Sequence, residues 1–157
     1  MTFEFQVTID SADPAALSAF WAEVLGYRLQ DPPPGFDTWD AALDAMGIPE
    51  DRRNDASALI DPAAPGAQRA GRIPSGVGAR IFFQRVPETK TVKNRVHLDV
   101  RAAPGLSGDE RMAALERRCA ELIDAGATRI ARHEPAPPLQ NGHLVMADPE
   151  GNEFCLD

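Results

Sequence analysis

The sequence predicts an α+β fold built from a strand-helix-strand unit used twice. Three observations carry this. An alternating segment stands near the start of each half, at residues 3–10 and 95–100. A helix with a single apolar stripe follows each of them. A glycine closes each helix, and a strand-like stretch comes straight after it. At 157 residues the chain has the length of a single domain, 1–157, and is too short for two independent enzymes.

Phe3, Phe5, Val7 and Ile9 alternate with Glu4, Gln6, Thr8 and Asp10, the period-two pattern of a half-buried strand. The first helix begins at Asp13-Pro14, where the aspartate can cap and proline suits the first helical position. Leu17, Phe20, Trp21, Val24 and Leu25 recur at i, i+3, i+4, i+7 and i+8, so Trp21 is expected in the core. Gly26 supplies a left-handed stop, and "YRLQ" follows as a strand. "QDPPPGF" cannot continue it, because proline lacks an N–H and favours an extended connection. "DTWDAALDAMGIP" predicts a short inserted helix over about 37–47, on which Trp39 and Met46 either form a lid or simply pack. "ASALIDP" and "GVGARIFFQRVP" read as strands separated by the turn-rich "AAPGAQRAGRIPSG".

The second half repeats the plan. "RVHLDV" places Val96, Leu98 and Val100 on one face and Arg95, His97, Asp99 and Arg101 on the other. A capping box, Ser107-Gly108-Asp109-Glu110, opens the next helix, and Gly126 ends it. Its stripe is Met112, Leu115, Cys119, Leu122 and Ile123, which makes Cys119 a small buried hydrophobe. "ATRIAR" is a strand, and "NGHLVMADPEGNEFCLD" gives two more, joined by a turn at Asp148-Pro149-Glu150-Gly151.

Composition narrows the function. Hydrophobic content of 43% and charged content of 25% predict a folded core rather than disorder. Twenty-four acidic against sixteen basic residues give a net charge of −8, which argues against nonspecific nucleic-acid binding. The N-terminal stretch has no basic flank and no apolar run, and no segment reaches membrane-spanning length, so a cytoplasmic protein without a membrane partner is expected. Two cysteines, Cys119 and Cys155, do not make a disulfide framework and are expected as free thiols. No phosphate-binding loop, dinucleotide fingerprint or nucleophile elbow is present.

Strand parity defines the candidate site. In "NEFCLD", Phe154 and Leu156 point toward the helix, so Glu153, Cys155 and Asp157 point the other way. Gln6 and Thr8 share that polar phase on the first strand, and Arg95, His97 and Asp99 share it on theirs. If these strands belong to one sheet, its polar face is either a solvated surface or the lining of a ligand pocket. As a nucleophile Cys155 would need His97 as its base, while the flanking acids would push the thiol pKa up. The cations of "KTVKNR" either steer an anionic ligand or form a solvated loop. His133 reads as surface, and His143 opens a strand in the polar phase.

"FWAEVLGY", "KNRVHLD" and "DPEGNEF", in this order and separation, resemble the vicinal oxygen chelate superfamily of glyoxalases, bleomycin-resistance proteins and extradiol dioxygenases. The chain looks most similar to glyoxalase-like proteins of actinobacterial type. The resemblance covers nearly the whole chain. It implies two βαβββ modules, about 1–90 and about 91–157, whose curled mixed sheets enclose a shared cavity. It also implies a small-molecule ligand and a homodimer.

Enzymes of that superfamily hold a divalent metal through a residue on the first strand of one module, a histidine on the first strand of the other, and a glutamate on the last strand. By position these fall on Gln6, His97 and Cys155. Only His97 matches the usual ligand. Glutamine is a weak ligand, and a thiol carries no charge unless it ionises, so the implied metal site is degenerate. Mg²⁺ and Mn²⁺, which prefer oxygen ligands, fit worse than Zn²⁺. Glu153 shares the face but sits one strand repeat away, roughly 7 Å, too far to substitute. The resemblance thus implies a small-molecule binder contacting Gln6, Thr8, Trp39, Arg95, His97, Asp99 and Cys155. The alternative is a metal-dependent lyase, isomerase or dioxygenase.

Overall fold

A computed structural model describes residues 5–63 and 78–157. The expected roles of Phe3 and Glu4, the turn-rich stretch 64–76, and Gly76 and Val77 of the following strand fall outside the described residues. The chain divides into two compact units, Met1–Thr89 and Lys90–Asp157.

The first unit runs β1 (Val7–Ser11), α1 (Pro14–Leu25), β2 (Arg28–Leu29), α2 (Trp39–Ala45), a 3-10 turn at Glu50–Arg52, β3 (Ala56–Ile60) and β4 (Ile81–Arg85). The capping signals at the start of α1 work as the sequence predicts. The Asp13 carboxylate accepts from the Ala16 N–H at 3.1 Å, and Asn54 braces the cap by donating to Asp13 and accepting from the Ala15 N–H. These bonds hold the Asp13 carboxyl below its usual range, the one from the Asn54 side chain most of all. Leu17, Phe20, Trp21 and Val24 are buried on the inner face of α1, with Leu59, Ile81 and Phe83 buried in the strands it packs on. Ser18 and Ser57 hydroxyls, 2.7 Å apart, share one hydrogen bond between helix and sheet. Trp21 therefore belongs to the core.

The second unit runs β5 (Leu98–Val100), α3 (Gly108–Asp124), β6 (Thr128–His133), β7 (His143–Ala147) and β8 (Glu153–Leu156). Met112, Leu115, Cys119 and Leu122 of α3 are buried, as are Leu144, Met146, Phe154 and Leu156 of the sheet. The Cys119 thiol lies 3.4 Å from the Met146 sulfur, so it fills core volume as expected. Three details differ from expectation. Ser107 occupies the N-cap without a side-chain bond, so the capping box does not form, and Ile123 is 45% exposed. The strand predicted from Arg95 starts only at Leu98; Arg95 and Val96 form a bend, and Val96 is exposed.

The second unit is βαβββ in element order, the first has the same order with α2 and the 3-10 turn inserted between β2 and β3, and both sheets are mixed. The orders are β1-β4-β3-β2 and β5-β8-β7-β6, with β1 parallel to β4, β5 parallel to β8, and the remaining pairs antiparallel. The α+β class stands. The expectation of curled sheets around a shared cavity is overturned, because each sheet is open, ending in edge strands that do not pair with each other. Closure requires edge strands long and staggered enough to hydrogen-bond to one another. Here β2 has two residues and β5 three. A single sheet carrying Gln6 beside His97 and Cys155 is likewise corrected: β1 lies in the first sheet, β5 and β8 in the second.

Candidate functional site

The parallel pairing of β5 with β8 sets Asp99 opposite Cys155. Opposed residues on paired strands share a face, so both project away from the face that α3 covers. His97 stands two residues before Asp99 in the same phase, and its Nε2 lies 3.2 Å from Asp99 Oδ1. Among the described residues, His97, Asp99 and Cys155 form a group of metal-capable side chains whose donor atoms lie within 4.8 Å of one another. Cys155 is the buried floor of this group, only 9% exposed, while His97 and Asp99 are open to solvent.

Burial pushes the Cys155 thiol up to about 11, and the negative charge of Asp99, a hydrogen bond donated to Asp99, and the charge of Asp157 add to it against a weak opposing pull from Lys93. At neutral pH the sulfur is therefore a protonated donor, the wrong state for a nucleophile. The acids of β8 and of the residue that follows it are committed elsewhere. Glu153 pairs with Lys93, whose hydrogen bond holds its carboxyl below the usual range, and Asp157 is gripped by Arg111 and Arg101.

The thiol shift has a sign in stability. Below pH 9 both folded and unfolded chains keep the proton, so the contribution is fully present. Between the ordinary value of 9.0 and about 11 only the unfolded chain releases it, so stability falls as pH rises. Relative to Cys155→Ser, the wild type is expected to lose roughly 2 kcal/mol over that window. Thermal midpoints of the two proteins from pH 8 to 11 read this directly. Curves that run parallel would remove the shift.

In the first unit, the Gln6 carbonyl oxygen accepts from Arg80 Nη1 at 2.6 Å, and its amide nitrogen donates to Thr8 at 3.3 Å. Trp39, the first residue of α2, donates its indole N–H to the Gln30 carbonyl at 2.7 Å and is 40% exposed. Arg95 is exposed in its bend. Thus Asp99 and Cys155 come together with His97, Gln6 comes together with Thr8, and Trp39 is tied to the end of β2.

Sequence reasoning passed over two arginines. Arg80 precedes Phe82 by two residues and so shares its strand phase, but no periodicity marks it as buried. Arg111 carried a readable signal: it falls in the α3 stripe at i, i+4, i+8 and i+11 with Leu115, Cys119 and Leu122, and it is buried there.

The three donors fit a thiophilic ion in kind, since zinc takes imidazole, carboxylate and thiolate together. They fit Mg²⁺ or Mn²⁺ poorly, having one carboxylate and a sulfur. Metal binding at this group has to displace the Cys155 proton and break its bond to Asp99.

Solved structures of similar fold include a glyoxalase/bleomycin resistance protein/dioxygenase family enzyme from Burkholderia phytofirmans, at 20% identity and TM-score 0.51, covering 96% of this chain and 94% of that one. A fosfomycin resistance protein from Mesorhizobium loti matches at 10% identity and TM-score 0.53, covering 99% and 90%. Another, from Listeria monocytogenes and complexed with Mn(II) and a dihydroxypropylphosphonic acid, matches at 8% and 0.55, covering 99% and 89%. At these identities the likeness is one of fold. No curated protein sequence matches. Among the described residues no helix is long and apolar enough to cross a membrane. The model of the glyoxalase-like domain matches residues 6–156, nearly the full length, and the chain therefore belongs to the glyoxalase-like domain family.

Proposed function

We propose that this protein binds a small molecule through the open polar faces of its sheets, as one glyoxalase-like domain whose metal site is degenerate. One observation carries the reading. The last-strand position that resemblance assigns to a metal carboxylate holds Cys155, and its protonated thiol is already satisfied by Asp99. His97, the retained ligand, is paired with the same carboxylate. Both partners would have to be pulled from each other before an ion could bind. In this reading Gln6, Thr8 and Trp39 of the first unit and Arg95, His97, Asp99 and Cys155 of the second are the ligand-contacting side chains of their own faces, and a homodimer is the working form.

The test is the metal content of untagged protein purified without chelators from zinc- and manganese-supplemented cells, wild type beside Cys155→Ala. Metal well below one equivalent in both is expected. One equivalent in the wild type that disappears in the variant would overturn the reading. It would favour the alternative, a metal-dependent lyase, isomerase or dioxygenase, for which the compact His97-Asp99-Cys155 group speaks. Zinc is then the ion of choice over magnesium or manganese, and when bound it would supply Lewis-acid stabilisation of substrate oxygens. His97→Ala would in that case abolish both metal binding and turnover, whereas under the degenerate-site reading it changes ligand affinity only modestly.

A further inference from the structure

Arg80 differs from the other described arginines of its unit. Arg28 pairs with Asp31, Arg52 and Arg85 with Asp55, and Arg53 with Asp44 and Asp40. Arg80 has no carboxylate partner among the described residues. Its Nε donates to the Gln30 side-chain oxygen at 2.7 Å and its Nη1 to the Gln6 side-chain oxygen at 2.6 Å. Both acceptors are neutral. The guanidinium lies 5.0 Å over the Phe82 ring, and the residue is half-buried.

Each of these facts bears on what the cation is for. Two amide oxygens fix the plane and direction of the fork but cannot neutralise it. A guanidinium offers five N–H donors, so three remain, including both on Nη2. Partial burial penalises the uncompensated charge, which depresses the Arg80 pKa. A chain with 24 acidic residues had carboxylates to spare, yet the described ones nearest in sequence to Gln6 and Gln30 are directed elsewhere. Asp31, next to Gln30, is taken by Arg28 at 2.7 Å. Asp10, on the same face of β1, stands four residues beyond Gln6, roughly 13 Å along the strand.

We infer that Arg80 is an anion-recognition group on the open face of the first sheet, and that the ligand is a small organic oxyanion with an apolar or aryl body. The oxyanion takes the free edge of the fork, and Phe82 and the half-exposed indole of Trp39, anchored on the Gln30 carbonyl, supply the apolar flank. This rests on the small-molecule reading above and names the chemical class of that ligand.

The probes are benzoate, phenylphosphonate and the neutral isostere benzamide, titrated into ¹⁵N-labelled full-length protein while the Arg80 Nε–H resonance is followed. That resonance is assigned by its loss in Arg80→Gln. Benzoate or phenylphosphonate is expected to bind at least tenfold more tightly than benzamide and to shift the Arg80 resonance. Whichever anion binds more tightly tells a carboxylate ligand from a phosphonate one. Arg80→Gln should weaken the anion at least tenfold with an unchanged melting temperature, and Arg80→Lys, which keeps the charge but not the fork, should fall between. If benzamide binds as tightly as benzoate, or Arg80→Lys and Arg80→Gln both match wild type, the anion inference fails while small-molecule binding stands. If none of the three probes binds, the anion inference fails, and the metal content of the wild type beside Cys155→Ala decides the reading it rests on.

Discussion

Gly142→Ala is expected to destabilise the protein by about 3–4 kcal/mol, from the left-handed backbone penalty and overpacking together. Gly142 has φ +79, and a Cβ built there would sit 2.6 Å from Met112 Sδ, 3.0 Å from Pro135 Cδ and 3.1 Å from the His133 carbonyl oxygen. The methionine sulfur can swing aside. The proline ring and the carbonyl cannot do so without moving the connection between β6 and β7. Gly105 provides the control, because it has φ +75 and nothing within 4 Å of the same added atom. Gly105→Ala should therefore cost only the backbone part, about 1 kcal/mol. Urea unfolding of both variants separates the terms. Equal losses would mean that the crowding around Gly142 relaxes freely.

The crowding around Gly142 has no signal in the sequence. Steric contact with Met112 depends on where α3 lands, and no local pattern reports that. The same distinction runs through the rest of the chain. Asp13, Pro14 and Gly26 declared α1 because capping and stop signals act within a few residues of sequence. The Ser107 box failed although its residues are correct in type, since a cap forms only if the side chain turns inward. The strand before His97 is short because alternation alone does not say how far a partner strand pairs; the ladder with β8 begins at Leu98 opposite Phe154.

At the candidate site, parity sufficed to group His97, Asp99 and Cys155 on one face, since period-two alternation is a local property. It says nothing of which sheet β1 joins, and Gln6 is set beside them by the family resemblance alone, whereas β1 lies in the other sheet. Sheet curvature was beyond reach for a similar reason: whether edges close depends on strand length and stagger, and β2 and β5 fall short of what sequence alternation suggested. Arg80 illustrates the remaining gap. Its significance lies in which acceptors surround it, two glutamine oxygens from residues 50 and 74 positions away, and that is a tertiary fact.

Arg111→Met is expected to cost about 3–4 kcal/mol, near the lower end of what breaking a buried ion pair costs. The arginine is 8% exposed, yet it sits in the apolar stripe of α3. Its head pairs with Asp157 and donates to the carbonyls of Ala103 at 3.5 Å and Gly142 at 3.4 Å. It thus ties three things to the first turn of α3: the segment after β5, the start of β7 and the residue that follows β8. Methionine fills the stem volume but leaves both carbonyls without this donor, and leaves Asp157 to Arg101 on the exposed side. Asp157→Asn should cost a comparable amount, because it leaves the buried guanidinium facing only neutral groups. The double variant should then lose at least 1 kcal/mol less than the sum of the two, the signature of one shared interaction. A neutral or stabilising Arg111→Met would show that apolar filling outweighs the pair, as it can where desolvation of the ions dominates. In that case Arg111 owes its place to orientation rather than stability: it fixes Asp157 two residues from Cys155, and the Arg111→Met protein should show a displaced Cys155 pH window even while its melting temperature holds.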